Sequence, residues 1–242
     1  MKTQVVILAG GLGTRLWPIT ETIPKPLIPV AGAPYLEHQL RYLREQKITD
    51  VVLLTGYLGE QIEACFGNGE RLGMSIRYSQ EPCPLGTGGA IRNALSLLAD
   101  SFLLVYGDSF LPIRYANVVN RLNHAAALGV VVVYDNTVAD TSVKNNIALN
   151  ESDFVSRYDK NGAHDDLLYV EAGVSAFRRE AFREAPAGAW SLEQSLFPDL
   201  IRRNSLAAVR TGQRFYDIGT PDRLALIEQY FLHDHHSNAS AD

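Results

Sequence analysis

The sequence predicts a single-domain, Rossmann-like α/β fold, a three-layer sandwich around a mostly parallel central sheet, and three observations predict it. Short apolar runs of the fully buried kind recur at residues 5–9, 51–55, 102–106 and 130–134. Amphipathic stretches of helical period separate them. A chain of 242 residues is also long enough for one large domain with a substantial core. Strands and helices that alternate in this way are satisfied by parallel strands joined through right-handed crossovers.

The elements follow in order. VVILA at 5–9 is a buried strand that stops at glycines. Pro34 opens a helix over 34–46, with Leu36, Leu40 and Leu43 on one face and charges on the other. VVLLT at 51–55 is the second strand, followed by a shorter helix at 60–66. A third strand at 75–79 leads to a helix at 88–98, FLLVY at 102–106 to a helix at 118–128, and VVVVY at 130–134 is the fifth strand. Beyond Asp135 the alternation loosens. Residues 145–158 read as short strands and turns, VSAF at 174–177 as one more strand, and 192–203 and 221–232 as amphipathic helices. The polar tail HDHHSNASAD, 233–242, has too few apolar residues to pack and is expected to be disordered, its three histidines solvated rather than metal-bound.

Composition excludes several classes of function. The formal net charge of −5 leaves no general basic footprint, so nucleic acid is not an expected partner. An anionic ligand would have to be held by a few placed cations. The two cysteines, Cys65 and Cys83, form no metal-type pair and fit free thiols in a reducing compartment. The N-terminal apolar run is too short for a secretory leader, and no stretch approaches a membrane span. A cytoplasmic location and no membrane partner are the expectations.

Chemistry concentrates where the first strand ends, in LAGGLGTRLWPIT and PKPLIPVAGAP. A Walker loop would need lysine after its last glycine, and a dinucleotide fingerprint would need glycine where Leu16 stands. Neither fits. What remains is a glycine turn whose backbone can approach an anion closely. Arg15 adds a planar fork suited to phosphate oxygens, and Lys25 adds a second cation held between two prolines.

These segments, followed by QEPCPLGTGGAI, YGDS and FYDIGTPDRL, resemble the sugar-1-phosphate nucleotidylyltransferases from residue 4 to residue 232, and most of all the bacterial D-glycero-D-manno-heptose 1-phosphate and mannose-1-phosphate guanylyltransferases. The resemblance implies a nucleotide-diphospho-sugar transferase type of domain over 1–232. Its nucleotide-binding part would cover about 1–110 and its sugar-binding part about 111–232. It implies a nucleotide site at Leu8, Ala9, Gly10, Gly11, Gly13 and Thr14, and a base-recognition loop at Gln80, Glu81, Pro84, Gly86, Thr87 and Gly88. Backbone N–H groups of the GTGG segment, which opens a helix, would serve the nucleobase or phosphate. Arg15, Lys25 and Asp108 would act at the reacting centre, with Asp108 and Asp217 holding Mg²⁺, which favours one or two carboxylates alongside phosphates and water. On the sugar side it implies Lys160, beside Asp159, against the sugar phosphate, with Glu171 and Gly173 facing the sugar.

The reaction implied joins a nucleoside triphosphate, GTP before UTP, CTP or dTTP, to a heptose or mannose-type 1-phosphate, with N-acetylmuramic acid or glucose 1-phosphate as alternatives. Pyrophosphate leaves, and the product is an activated sugar for surface polysaccharide or glycoconjugate assembly. The attacking phosphate oxygen is already anionic, so positioning and countercharge carry the step rather than a general base. A non-catalytic nucleotide-sugar-binding subunit would be expected to lack Arg15, Lys25 or a metal aspartate, and all are present. Homo-oligomers are frequent in the family.

Overall fold

The computed structural model describes residues 3–238. Thirteen strands and six α-helices alternate along it. The strands are β1 (Gln4–Ala9), β2 (Pro29–Val30), β3 (Ala33–Pro34), β4 (Asp50–Thr55), β5 (Ser75–Gln80), β6 (Ser101–Tyr106), β7 (Ser109–Phe110), β8 (Gly129–Asp135), β9 (Ile147–Leu149), β10 (Val155–Tyr158), β11 (Tyr169–Arg178), β12 (Leu206–Thr211) and β13 (Tyr216–Asp217). The helices are α1 (Tyr35–Glu45), α2 (Gly59–Phe66), α3 (Gly86–Asn93), α4 (Tyr115–His124), α5 (Phe197–Arg202) and α6 (Pro221–Asn238).

Nine strands form the central sheet. β5, β4, β1 and β6 lie side by side and parallel, with Val5 opposite both Val51 and Leu103. β11 then pairs antiparallel with β6 on one edge and with β8 on the other, and β12 runs parallel to β8. The sheet is therefore mixed but mostly parallel. The central strands read as unbroken apolar runs because both faces are covered. One face packs Leu36, Leu40, Ile62 and Val118 of α1, α2 and α4, and the other packs Ile91, Phe182 and Phe197 around α3 and α5.

The expected elements are present, with informative differences. The helix expected at 118–128 is Tyr115–His124, because Leu128 and Gly129 donate their amides to the Ser205 carbonyl and turn the chain into β8. The helix expected at 88–98 begins at Gly86 and ends at Asn93, before a separate turn at Leu95–Leu97. That expected at 192–203 splits into a π-helical turn, Leu192–Leu196, and α5. α6 continues to Asn238, through part of the stretch expected to be disordered, since extending an anchored helix is far easier than starting one; residues 239–242 lie outside the described residues. Both thiols are free, and no helix among the described residues is long and apolar enough to cross a membrane.

Phe177 on β11 is fully buried among Phe102, Phe182 and Phe197. Phe177→Ala is expected to lower stability by about 3–5 kcal/mol, read from urea unfolding, because the surrounding rings cannot close the cavity.

Candidate active site

Parallel strands direct their C-terminal ends to one edge of the sheet, and a change of chain direction beside the first strand leaves a crevice there. Here the chain leaves β1 toward β4 and β5, then returns to β6 on β1's other side. The turns after these four strands enclose a cleft of about 820 Å³. The first contributes Leu8, Ala9, Gly10, Gly11, Gly13 and Thr14, and the third contributes Gln80, Glu81, Pro84, Gly86 and Thr87. Gly56 and Tyr57 come from the second turn, and Tyr106, Gly107 and Asp108 from the fourth.

The glycines make room for an acid. A Cβ on Gly10 would stand 2.8 Å from Glu81 Oε1, and one on Gly56 only 2.5 Å from it. Glu81 thus lies between two bare backbone turns, with Oε2 accepting the Leu85 amide at 3.0 Å. Burial raises its pKa, opposed by that amide. The result is a carboxyl group set in the wall formed by the third turn.

The charged centre lies at the other end. Lys25, 8 % exposed, donates from Nζ to Asp108 Oδ2 at 2.6 Å. Arg15 is exposed and shares a recess of about 230 Å³ with Thr14, Lys25, Asp108 and Gly219. Asp217 reaches the same place because β13 pairs with β7, setting it opposite Ser109, while the Ile218 amide donates to the Asp108 carbonyl. Its carboxylate accepts the Gly219 amide at 2.7 Å and Arg223 Nη1 at 3.1 Å. Two carboxylates that are 109 positions apart (217 minus 108) therefore flank one strand pair, each balanced by a cation. Among the described residues no group of three or more metal-ligating side chains assembles. A hard divalent cation held by these two alone would complete its shell with phosphate oxygens and water, which is the donor set Mg²⁺ favours.

A second acidic pair, Glu171 and Glu193, lies at β11 and, like Gly173 and Lys160, is not among the residues that line the cleft. β11 breaks register between Glu171 and Ser175, and Gly173 there adopts φ +76°, with a Cβ position only 2.7 Å from Ser109 Cβ. Glu171 Oε1 is buried without a hydrogen-bond partner, and the Tyr106 hydroxyl, then Lys160, exposed just after β10, act to lower its pKa. Burial first, then the charge of Glu193, nevertheless pushes the Glu171 carboxyl up to about 8. Glu193 accepts hydrogen bonds from the Tyr106, Ser191 and Thr87 hydroxyls.

One expectation changes. The Gly88 and Gly89 amides donate to the Trp190 carbonyl, at 3.0 and 3.3 Å, so the GTGG segment spends them on packing against the 190–196 turn. Of its residues Gly86 and Thr87 line the cleft, and Gly88 does not. Asp159 accepts the Asn161 and Ala163 amides at 2.9 and 3.0 Å and shapes its own turn. Sequence reasoning missed Tyr57 and Glu193. Tyr57 could have been found as the residue after the glycine that ends β4, at the same sheet edge. The local pattern around Glu193 signals only a helix start, Ser191 capping Gln194.

Residues 4–232 match the nucleotidyl transferase family. The chain is 32% identical over 225 residues to a mannose-1-phosphate guanylyltransferase of Mycobacterium tuberculosis, covering 91% of this chain but 62% of that protein. It is 31% identical over 220 residues to a D-glycero-alpha-D-manno-heptose 1-phosphate guanylyltransferase of Campylobacter jejuni, covering 90% and 96% respectively. The crystal structure of HddC from Yersinia pseudotuberculosis superposes with a TM-score of 0.80 at 25% identity, covering 95% of this chain and 99% of that one.

The Glu171 shift fixes a pH dependence of stability. Below its ordinary value of 4.5 the carboxyl is protonated folded and unfolded; between 4.5 and about 8 only the folded chain keeps the proton. Stability is therefore expected to fall as pH rises through that window. Glu171→Gln should flatten this slope and raise the thermal midpoint at pH 8, measured by calorimetry from pH 5 to 9.

Proposed function

The chain belongs to the nucleotidyl transferase family, and from that premise we propose that it transfers a guanylyl group from GTP to a heptose or mannose-type sugar 1-phosphate and releases pyrophosphate. The named relatives support both the reaction and the sugar class.

Glu81 is the observation that carries the choice of base. Guanine alone among the common bases presents two adjacent donors, N1–H and the N2 amino group, on its pairing edge. A carboxylate, which only accepts, matches them. Uracil and thymine would set a carbonyl oxygen against it, so the same group also rejects.

At the reacting centre the sugar phosphate oxygen attacks the α-phosphorus and the bond to the departing pyrophosphate breaks. Proton transfer is not required. Lys25, nearly buried and already oriented by Asp108, and Arg15 at the mouth supply fixed positive charge to the phosphates. Asp108 and Asp217 would hold Mg²⁺, which would supply further countercharge to the phosphate oxygens. Glu171 and Glu193 would accept sugar hydroxyls, with Gly173 shaping that wall and Lys160 serving the sugar phosphate.

Pyrophosphate release from each nucleoside triphosphate with a panel of sugar 1-phosphates tests the reading directly. GTP with a manno-configured sugar should give the highest kcat/KM, and no pyrophosphate from any pair would favour a binding module. Arg15→Ala, Lys25→Ala and Asp108→Asn should each lower kcat by roughly 10²–10³-fold with the fold retained. Glu81→Gln should lower kcat/KM for GTP by roughly 10- to 100-fold, the worth of a hydrogen bond to a charged group, and narrow the preference over UTP.

A further inference from the structure

Two buried side chains with no part in the proposed chemistry lie beneath the acidic turns. Tyr35 and Gln39 stand one helical turn apart on α1 and so share a face. Gln39 donates from Nε2 to the Tyr106 carbonyl at 3.0 Å and to the Ser109 carbonyl at 2.6 Å. Those two carbonyls bracket Gly107 and Asp108. The other end of the amide, Oε1, is buried without a partner.

Tyr35 is fully buried and packs with Phe110 and Ile218, the residues that follow Ser109 and Asp217. Its hydroxyl is also without a partner. Burial first, then the charges of Asp108, Asp217 and the Tyr115 ring beyond them, hold its pKa well above the ordinary phenol value. It therefore remains a donor. A buried, unsatisfied hydroxyl is a standing cost, and phenylalanine would fill the same space without it.

We propose, building on the functional reading above, that Tyr35 and Gln39 are positioning residues for the two aspartates. Gln39 fixes the turn that carries Asp108, and the Tyr35 hydroxyl is the donor that orients the aspartate pair when it holds the metal. Lys25 and Arg223 balance the carboxylates. Once Lys25 turns to phosphate, Asp108 would lose that partner, and the unpartnered Tyr35 hydroxyl is the donor assigned to replace it. Groups that orient metal ligands in this way typically contribute 10- to 100-fold to affinity.

Tyr35→Phe separates this role from packing. Three quantities would be measured on parent and variant: the thermal midpoint of the ligand-free protein, Mn²⁺ binding by loss of the free-ion paramagnetic resonance signal, and the KM for sugar 1-phosphate. The expected result is a midpoint equal to or above that of the parent, Mn²⁺ affinity weaker by roughly 10-fold or more, and an unchanged sugar KM. Gln39→Glu, which keeps the shape but loses the amide donor, should weaken Mn²⁺ binding in the same direction. Unchanged Mn²⁺ affinity in Tyr35→Phe would overturn the inference, as would a lower midpoint with every constant impaired or a parent that binds no Mn²⁺. A parent that binds Mn²⁺ yet releases no pyrophosphate would count against the functional reading and leave this inference standing.

Discussion

The cleft depends on β1 lying between β4 and β6 with all three strands parallel and in register. That arrangement sends three turns, and with β5 a fourth, to the same edge at the same height. The Gly107 amide closes it by donating to the Leu8 carbonyl at 2.9 Å, which ties the turn of Asp108 to the glycine turn. Residues that are remote in the chain then meet without any one loop having to be long. Had β6 paired one residue out of step, its buried residues from Phe102 to Val105 would each face the opposite side of the sheet, because side chains alternate along a strand.

The two acidic pairs are built on opposite electrostatic principles. Around Lys25 each acid is matched by a cation at hydrogen-bond distance, Asp108 by Lys25 and Asp217 by Arg223. Charge there is balanced. On the β11 side Glu171 and Glu193 stand together, and one of them keeps its proton near neutral pH instead. A protonated carboxyl can donate as well as accept, which suits hydroxyl groups better than anions.

Several of these features lower stability in exchange for chemistry. The unpaired oxygen of Glu171, the unpaired hydroxyl of Tyr35 and the partly buried Glu81 are each unfavourable in an isolated fold. They are tolerated because two broad apolar layers cover the sheet and the aromatic group around Phe177 closes one of them. The polar groups under strain cluster at the C-terminal edge of the strands, while the opposite edge carries ordinary satisfied contacts such as Arg77 with Asp50.

By itself the sequence determined the local things. Runs such as VVILA and FLLVY can only be buried strands, and GGLGTR admits neither the Walker nor the dinucleotide geometry. Arg15, Lys25, Asp108 and Asp217 stand in segments short enough to be read as motifs. Backbone propensity and side-chain chemistry act over a few residues, so those facts are written locally. Tertiary structure decided what depends on contacts between distant segments. It inserted β11 antiparallel between β6 and β8, committed the Gly88 amide to Trp190, and brought Glu193 across to Tyr106, a partner 87 residues away. It also buried Tyr35 and Gln39 under the aspartates. None of these has a sequence signature, because burial and hydrogen-bond partners are properties of the packed chain.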